Sequence, residues 1–291
     1  MKKIGVVGIR DGWSSEALAD ACGKLTGFRL LIDMDQAALD LERGTVLYDG
    51  QDLLELDALI VKKIALQYSP NVLDRLEMLR FLELKGLPVF SKPSSIIRLI
   101  DRLSCTVTLR AGGLPMPSTV ITEDVDQALD AVSRFGRAVF KPLYSTKARG
   151  MEVIEAGEGA RGRIETFQAA GNQVMYLQKM LPPLEKDLGV TFLGGKYLGT
   201  YARKSGGTSW NTTTNAGGKY VAFEPSPEIM ALAVKAQALF DMAFTCVDIA
   251  ETREGPIVFE VSAFGGFRGL LDACNIDAAE AYARHVLESI A

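Results

Sequence analysis

The stretch AFTCVDIAETREGPIVFEVSAF, residues 243–264, holds two apolar runs on either side of a polar ETREGP, as a β-hairpin does. Each run carries a carboxylate among apolar neighbours: Asp248 in the first, Glu260 in the second. Centring the turn on Glu254 sets Asp248 opposite Glu260, with Cys246, Ala250, Val258 and Ser262 on the same face. Val247, Ile249, Phe259 and Val261 then cover a core on the other face. Directly opposed residues of antiparallel strands have Cβ atoms roughly 4.5–5.5 Å apart, so two bare carboxylates there repel. A divalent cation held by Asp248, Glu260 and Ser262 removes that repulsion, and hard oxygen donors suit Mg²⁺, which also takes substrate phosphates. The alternative is a solvated sheet face on which two acids are merely tolerated. A one-residue shift of the turn breaks the pairing.

The rest of the composition narrows the chemistry. The chain has 291 residues, 48% hydrophobic and 23% charged, enough for a buried core and one to three domains. A net charge of −4 argues against a nucleic-acid protein with a broad basic face, but leaves room for a local basic pocket. The N-terminal MKKIGVVGIRDGW is too short in apolar residues for a signal peptide, and no run reaches the ~18 needed to span a bilayer. Cys22, Cys105, Cys246 and Cys274 show no C-x-x-C spacing and read as buried thiols of a cytoplasmic protein. His285 is the single histidine, which excludes a histidine-rich metal site; it reads as a surface or helix-end residue. Chemistry here must use carboxylates, lysines, arginines and metal.

Strand and helix patterns alternate over residues 1–92. Strands are expected at 2–9, 28–34, 57–64 and 87–93. One helix starts at the serines of SSEALADACGKL, and another has Ser69 as cap, Pro70 at its first position and Gly86 as stop. This is a small α/β layer with a parallel sheet. One helix is expected from Ser94 to Ala111, ended by Gly112 and Gly113. Strand PMPSTVIT, helix 123–136, strands RAVFKPL and MEVIEA, helix GRIETFQAAG and strand QVMYLQKML form a second, α+β unit. Then LGVTFLGGKYLGTYARK reads as a hairpin turning at Gly194-Gly195, and Ser226 caps a helix with Pro227 at its first position. The expected division is 1–92, 93–183 and 184–291.

A second basic feature lies in VFKPLYSTKARGMEV. Lys141 ends a strand and is followed by a polar loop with Lys147, Arg149 and Gly150. A lysine at a strand end and a basic loop can neutralise phosphates, although an exposed basic turn has the same composition. The loop lacks the G-x-x-x-x-G-K-[ST] pattern, and GIRDGW after the first strand lacks G-x-G-x-x-G.

In this order the pieces resemble the ATP-grasp superfamily, in particular the RimK-like ligases that add glutamate to a carboxylate terminus, and among them the ATP-grasp members of GAK systems. The resemblance covers nearly the whole chain and is strongest from 90 to 270. It implies an N-terminal α/β domain followed by two α+β subdomains that clasp ATP. SKPSSIIRLIDRLSC is similar to the family's stretch ending in Asp-Lys, with Arg102 in place of the phosphate-binding lysine. VFKPL supplies the second phosphate lysine, Lys141, and STKARGMEV the loop over the phosphates. Gln178, Lys179, Met180 and Leu181 match the linker whose backbone reads adenine, with Lys179 where glutamate is usual. Asp187 matches the aspartate of an Asp-Ile-Arg hairpin, implying a ribose contact, and Gly189 replaces its arginine. Arg203 is retained, while Asn211 and Thr213 replace an Arg-x-Asn pair before Gly217-Gly218. Asp248 and Glu260 match the metal carboxylates, and Ser262 stands where asparagine is usual.

The resemblance implies an ATP-dependent carboxylate–amine ligase using one or two Mg²⁺ ions, with Mn²⁺ as the alternative metal. A carboxylate, small-molecule or peptide, attacks the γ-phosphate, and an amine displaces phosphate from the acyl phosphate. Arg203 and Arg268 are expected to stabilise the developing charge. A small-molecule kinase on the same fold and a non-catalytic nucleotide-binding regulator are the alternatives; the changes at Gly189 and Ser262 speak for the latter. No nucleic-acid or membrane partner is expected, and homo-oligomerisation stays open.

Overall fold

The computed structural model describes residues 1–145, 148–204 and 219–291. The N-terminal unit contains β1 (Ile4–Val7), α1 (Trp13–Thr26), β2 (Leu30–Ile32), β3 (Ala38–Asp40), β4 (Thr45–Tyr48), β5 (Gln51–Asp52), β6 (Ala58–Val61), α2 (Asn71–Leu84) and β7 (Val89–Phe90). Its main sheet has the order β2-β1-β6-β7 and is parallel, as the alternating pattern implied. The fully buried β1 and β6 are apolar throughout, as parallel strands covered on both faces must be. A small antiparallel sheet, β3-β4-β5, occupies 38–52, where the sequence pattern assigned no element. The serines do not cap α1: Gly12 holds that position, and Ser15 Oγ accepts instead from the Ile9 N–H at 3.1 Å. No side chain caps α2, and Pro70 itself is already helical, with φ −51°.

Next come α3 (Pro93–Ile100), α4 (Arg102–Ala111), β8 (Thr119–Thr122), α5 (Val125–Phe135), β9 (Arg137–Lys141), β10 (Glu152–Glu155), α6 (Ala160–Ala169) and β11 (Met175–Lys179). The single helix expected over 94–111 is two. Asp101 breaks it with an extended backbone, φ −83° and ψ 107°, and its side chain accepts from the Leu103 N–H at 3.1 Å. An aspartate that satisfies an open N–H of the following helix is a strong N-cap. The break redirects Arg102 at the first position of α4. The antiparallel sheet β10-β9-β11-β8 packs on α5 and α6 around a core of its own, including Val132, Phe140, Ile154, Ile164 and Leu177.

The chain ends with β12 (Lys186–Leu193), β13 (Lys196–Lys204), β14 (Lys219–Ala222), α7 (Pro227–Ala238), β15 (Phe244–Thr252), β16 (Gly255–Ser262), α8 (Phe267–Cys274) and α9 (Ala278–Ser289). Five antiparallel strands run β14-β13-β12-β15-β16. Gly194 and Gly195 both have positive φ, 57° and 74°, as the expected two-residue turn requires. Ser226 caps α7 by accepting from the Ile229 N–H at 3.3 Å. This sheet shares cores with the N-terminal unit: Val7, Ile32 and Leu59 cluster with Val190, Val247 and Ile249, while Leu18 and Cys22 cluster with Phe244, Tyr282 and Val286. Among the described residues no helix is long and apolar enough to cross a membrane.

The hairpin of residues 243–264 pairs as expected where it matters, but by another route. Asp248 faces Glu260, yet Ile249 faces Val258 and Thr252 faces Gly255. The turn therefore falls between Arg253 and Glu254, and a bulge beside Asp248 takes up the extra residue at Phe259. Val258 consequently lies on the core face, fully buried, and Phe259 does not.

Asp101→Ala should lower the unfolding free energy by about 1 kcal/mol, and Asp101→Asn much less, in urea denaturation. Equal losses for both would show that the cap does not hold the α3–α4 break.

Candidate active site

The site begins with strand order. In the sequence β13-β12-β15-β16, Arg203 lies opposite Asp187, Gly189 opposite Asp248, and Asp248 opposite Glu260. Arg203 Nε donates to both oxygens of Asp187, at 2.9 and 3.1 Å, and a terminal N–H of the same guanidinium adds a further bond to that carboxylate. The same terminal nitrogen lies 3.0 Å from Asp248 Oδ1. Burial opposes the charge of Arg203, but Asp248 and Asp187 outweigh it and raise its pKa. The Asp248 side chain is 13% exposed. Burial, opposed by Arg203 and reinforced by Glu260 and Asp187, moves its pKa from the ordinary 3.8 up to about 7.

Glu260 has a different partner. Arg102 places Nη1 at 3.3 Å from Glu260 Oε2 while donating from Nε to the Pro142 carbonyl, 3.2 Å, and from Nη2 to the Ser145 carbonyl, 3.3 Å. One guanidinium fork thus joins α4, the segment after β9 and β16. Lys141, at the end of β9, donates to Gln178 Oε1 at 2.5 Å and lies 5.9 Å from the Phe259 ring centroid. Burial, then Arg102, lowers its pKa to about 7, with Glu260 acting the other way. Gln178 is 2% exposed and donates to Thr119 Oγ1 and the Tyr176 hydroxyl, both at 3.3 Å. Tyr176 in turn shares a 2.9 Å hydrogen bond with Thr106.

Asp187, Arg203, Asp248, Glu260 and Arg102 thus form one chain of contacts. Lys179 is exposed at the end of β11; its N–H donates to the Ser118 carbonyl at 2.8 Å, and that of Met180 to the Arg137 carbonyl at 3.0 Å. The N–H of Leu181 has no such partner among the described residues. Ser262 faces Cys246, two residues beyond Glu260. Arg268 is not drawn into the cluster: its guanidinium stacks 3.8 Å from the Trp13 ring centroid and pairs with Asp272 at 3.7 Å. Asn211, Thr213, Gly217, Gly218 and Lys147 lie outside the described residues. His285 lines a separate cleft of about 680 Å³ with Phe90, Lys92, Gly195 and Gln237.

Three neighbours were not anticipated from sequence. Tyr201 lies across from Gly189, and a Cβ on Gly189 would fall 2.5 Å from its hydroxyl oxygen; Gly269 closes on the same ring from α8. The Tyr201 hydroxyl shares a 3.4 Å hydrogen bond with Cys246 Sγ, which lies 3.8 Å from Asp248 Oδ1. Tyr68 lies near enough to Glu260 that burial, then that carboxylate, raises its pKa. Only the glycines could have pointed to Tyr201: small residues in a strand mark a close approach.

Among the described residues no group of three or more His, Cys, Asp or Glu could hold a metal ion. Two carboxylates with a nearby hydroxyl still fit Mg²⁺, which uses few protein ligands and keeps waters and phosphates.

A RimK-like ATP-grasp domain profile matches residues 100–286. The chain belongs to the RimK-like ATP-grasp family. It is 28% identical, over 324 aligned residues and the full length of both chains, to a tetrahydromethanopterin:alpha-L-glutamate ligase of Methanosarcina acetivorans. Its fold matches that of the ATP-grasp ligase PsnB, seen with a phosphomimetic precursor variant, Mg and ADP, with a TM-score of 0.77 and 18% identity over 100% and 99% of the two chains. D-cycloserine synthetase DcsG matches with a TM-score of 0.74 and 16% identity over 99% of each chain. This RimK-like chain is an ATP-grasp ligase, of the group that joins carboxylates to amines.

Two outcomes test the geometry. Across pH 4–7 the unfolded chain, with the lower pKa for Asp248, binds fewer protons than the folded one, so this carboxyl makes stability fall as pH rises through that window. Without divalent cations, urea denaturation at pH 5 and 7 should show a smaller loss for Asp248→Asn than for wild type; an identical loss assigns the slope to another group. Separately, Gly189→Ala should cost about 1–3 kcal/mol by overpacking, and adding Tyr201→Phe should recover part of it. A neutral Gly189→Ala would contradict the close approach of the ring.

Proposed function

We propose that the chain forms an amide bond between a substrate carboxylate and the amino group of L-glutamate, with ATP converted to ADP and phosphate. The observation that carries this reading is the contact chain Asp187–Arg203–Asp248–Glu260–Arg102, in which two facing carboxylates are flanked by an arginine on each side and which ends beside Lys141. Such an array is suited to holding phosphates near a divalent cation. The glutamate ligase similar to it along its full length supports L-glutamate as the amine.

In this proposal the substrate carboxylate attacks the γ-phosphorus, the bond to the β-phosphate oxygen breaks, and ADP leaves. The amine then attacks the acyl carbon, phosphate departs with the carbon–oxygen electron pair, and nitrogen loses a proton. The work is positioning and charge neutralisation. Arg102 and Lys141 contact the phosphates. Arg203 faces the transferring group, held in place by Asp187; the ribose contact expected of Asp187 has no separate support in its geometry. Backbone groups of residues 178–181 read adenine, with the Leu181 N–H as the open donor. Asp248, Glu260 and Ser262 would hold magnesium, which when bound neutralises phosphate charge. Arg268 is held by Trp13 and Asp272 outside this array. In the same reading, residues 93–183 and 184–291 are the two halves of the clasp, carried by an N-terminal unit over 1–92.

Calorimetry with ATP tests this directly. Wild type should bind ATP in a magnesium-dependent way, and Glu260→Gln should bind at least about tenfold more weakly. Binding that is indifferent to magnesium and to Glu260 would sink the metal assignment. ADP release that requires both a carboxylate and L-glutamate would separate ligation from phosphorylation alone.

A further inference from the structure

A buried cation that the nucleotide-side chemistry leaves unused lies between the N-terminal sheet and the segment after β16. Lys62 directly follows β6 and is 3% exposed. Its N–H and that of Lys63 both donate to the Val7 carbonyl, at 2.8 and 3.1 Å, which pins it where β1 and β6 end side by side. In the order β2-β1-β6-β7 the chain leaves β1 toward one edge and returns to β6 on the other side. Open parallel sheets take their ligands in the crevice at the carboxyl ends of strands at such a reversal.

The side chain of Lys62 runs from that reversal to the segment after β16. Nζ donates to the Phe264 carbonyl at 2.6 Å and stands 4.1 Å from the Phe267 ring centroid. An ammonium has three N–H donors, and no second acceptor is found for this one among the described residues. No aspartate or glutamate forms an ion pair with it, and the undescribed residues contain neither type. A buried charge with one carbonyl and one ring for company is poorly compensated. Burial, then Lys63, lowers the Lys62 pKa to about 7, with Cys246 acting the other way. The Phe264 carbonyl lies two residues past Ser262, whose strand partner is Cys246, the neighbour of Asp248. Lys62 therefore stands at the same end of β15 and β16 as the carboxylate cluster, on an element that supplies none of the phosphate-side cations.

We propose that Lys62 is a specificity-determining cation that receives one carboxylate of the amine substrate in the crevice between the ends of β1 and β6 and the Phe264–Phe267 segment. The inference rests on L-glutamate as the amine. Glutamate reacts through nitrogen, so both of its carboxylates remain charged and need partners within the site. Arg102, Lys141 and Arg203 are engaged on the phosphate side in the proposed reaction. The two remaining donors of Lys62 can form a charge-assisted pair with a carboxylate while the third stays on Phe264.

The test uses the protein loaded with magnesium and a non-hydrolysable ATP analogue, titrated calorimetrically with L-glutamate, L-glutamine and the α-amide L-isoglutamine. Wild type should bind glutamate on the order of 10- to 100-fold more tightly than one of the two amides, and the amide that fails identifies which carboxylate is read. In Lys62→Met and Lys62→Gln that ratio should fall to about one, while Lys62→Arg retains most of it. Lys62→Gln can keep the bond to Phe264. If Lys62 only tethers that segment, Lys62→Gln behaves as wild type and Lys62→Met weakens all three ligands alike, which overturns the proposal. Equal binding of glutamate and both amides by wild type overturns it without any variant, as does no glutamate binding to the nucleotide-loaded protein. Magnesium-dependent nucleotide binding reports that each variant is folded; its absence from wild type would instead overturn the ligase reading.

Discussion

Asp248 and Glu260 cannot occupy facing positions on one hairpin without positive charge beside them. The structure meets that constraint by giving each carboxylate its own arginine, and the two arginines come from different places. Arg203 comes from the same sheet, two strands away, and is itself braced by Asp187. Arg102 comes from the start of α4 and reaches across to Glu260 while its other N–H groups hold the carbonyls of Pro142 and Ser145. Compensating one pair of like charges thereby draws α4, the end of β9 and the last hairpin together at one point. Removing Arg203 would leave a poorly solvated carboxylate at Asp248, which is costlier than losing a surface ion pair.

The same economy of partners runs through the neighbouring polar groups. Lys141, Gln178, Tyr176 and Thr106 form a connected hydrogen-bonded series in which the buried amide of Gln178 uses its oxygen and its nitrogen. Buried polar networks of this kind are stabilising only when complete, and they then hold their members in one geometry. Lys141 stands at the end of the series, donating to the Gln178 oxygen. The central sheet that carries it has its own core, whereas the N-terminal unit and the five-stranded sheet share theirs. The parts that hold Lys62, Asp248 and Arg203 in fixed relation are therefore packed as one body of side chains.

Gly189 shows how a departure from a family pattern can be read physically. An arginine is expected there by resemblance, and a glycine stands in its place because the Tyr201 ring fills the space on that side, with Gly269 closing from α8. The ring brings a hydroxyl to Cys246, beside Asp248. A buried phenol in place of a long cation leaves one positive charge fewer in the vicinity of Asp248 and Glu260. Burial, reinforced by Glu260, keeps the Asp248 pKa raised even though Arg203 touches it.

Much of this protein was legible as sequence, wherever local chemistry dominates. Alternating strands and helices over residues 1–92 specified a parallel layer, Gly194-Gly195 specified a turn, and Ser226-Pro227 specified a helix start, because each depends on a few adjacent residues. Asp248 and Glu260 stood out because a carboxylate in an apolar strand demands a partner. The expected pairing was right although the turn was misplaced, since a bulge at Phe259 restored the register that the shorter turn had shifted. Sequence alone could not show that bulge, nor that Asp101 would cap a new helix instead of continuing the old one; in both, two local solutions compete and packing selects one. Arg102 meeting Glu260, Tyr201 replacing the arginine expected at 189, and Lys62 turning toward Phe264 join residues far apart in the chain. The sequence by itself determined the elements and the charges available to them. Which charges meet was decided by the tertiary structure, because burial makes each unpaired group costly and only the folded chain brings its partner within reach.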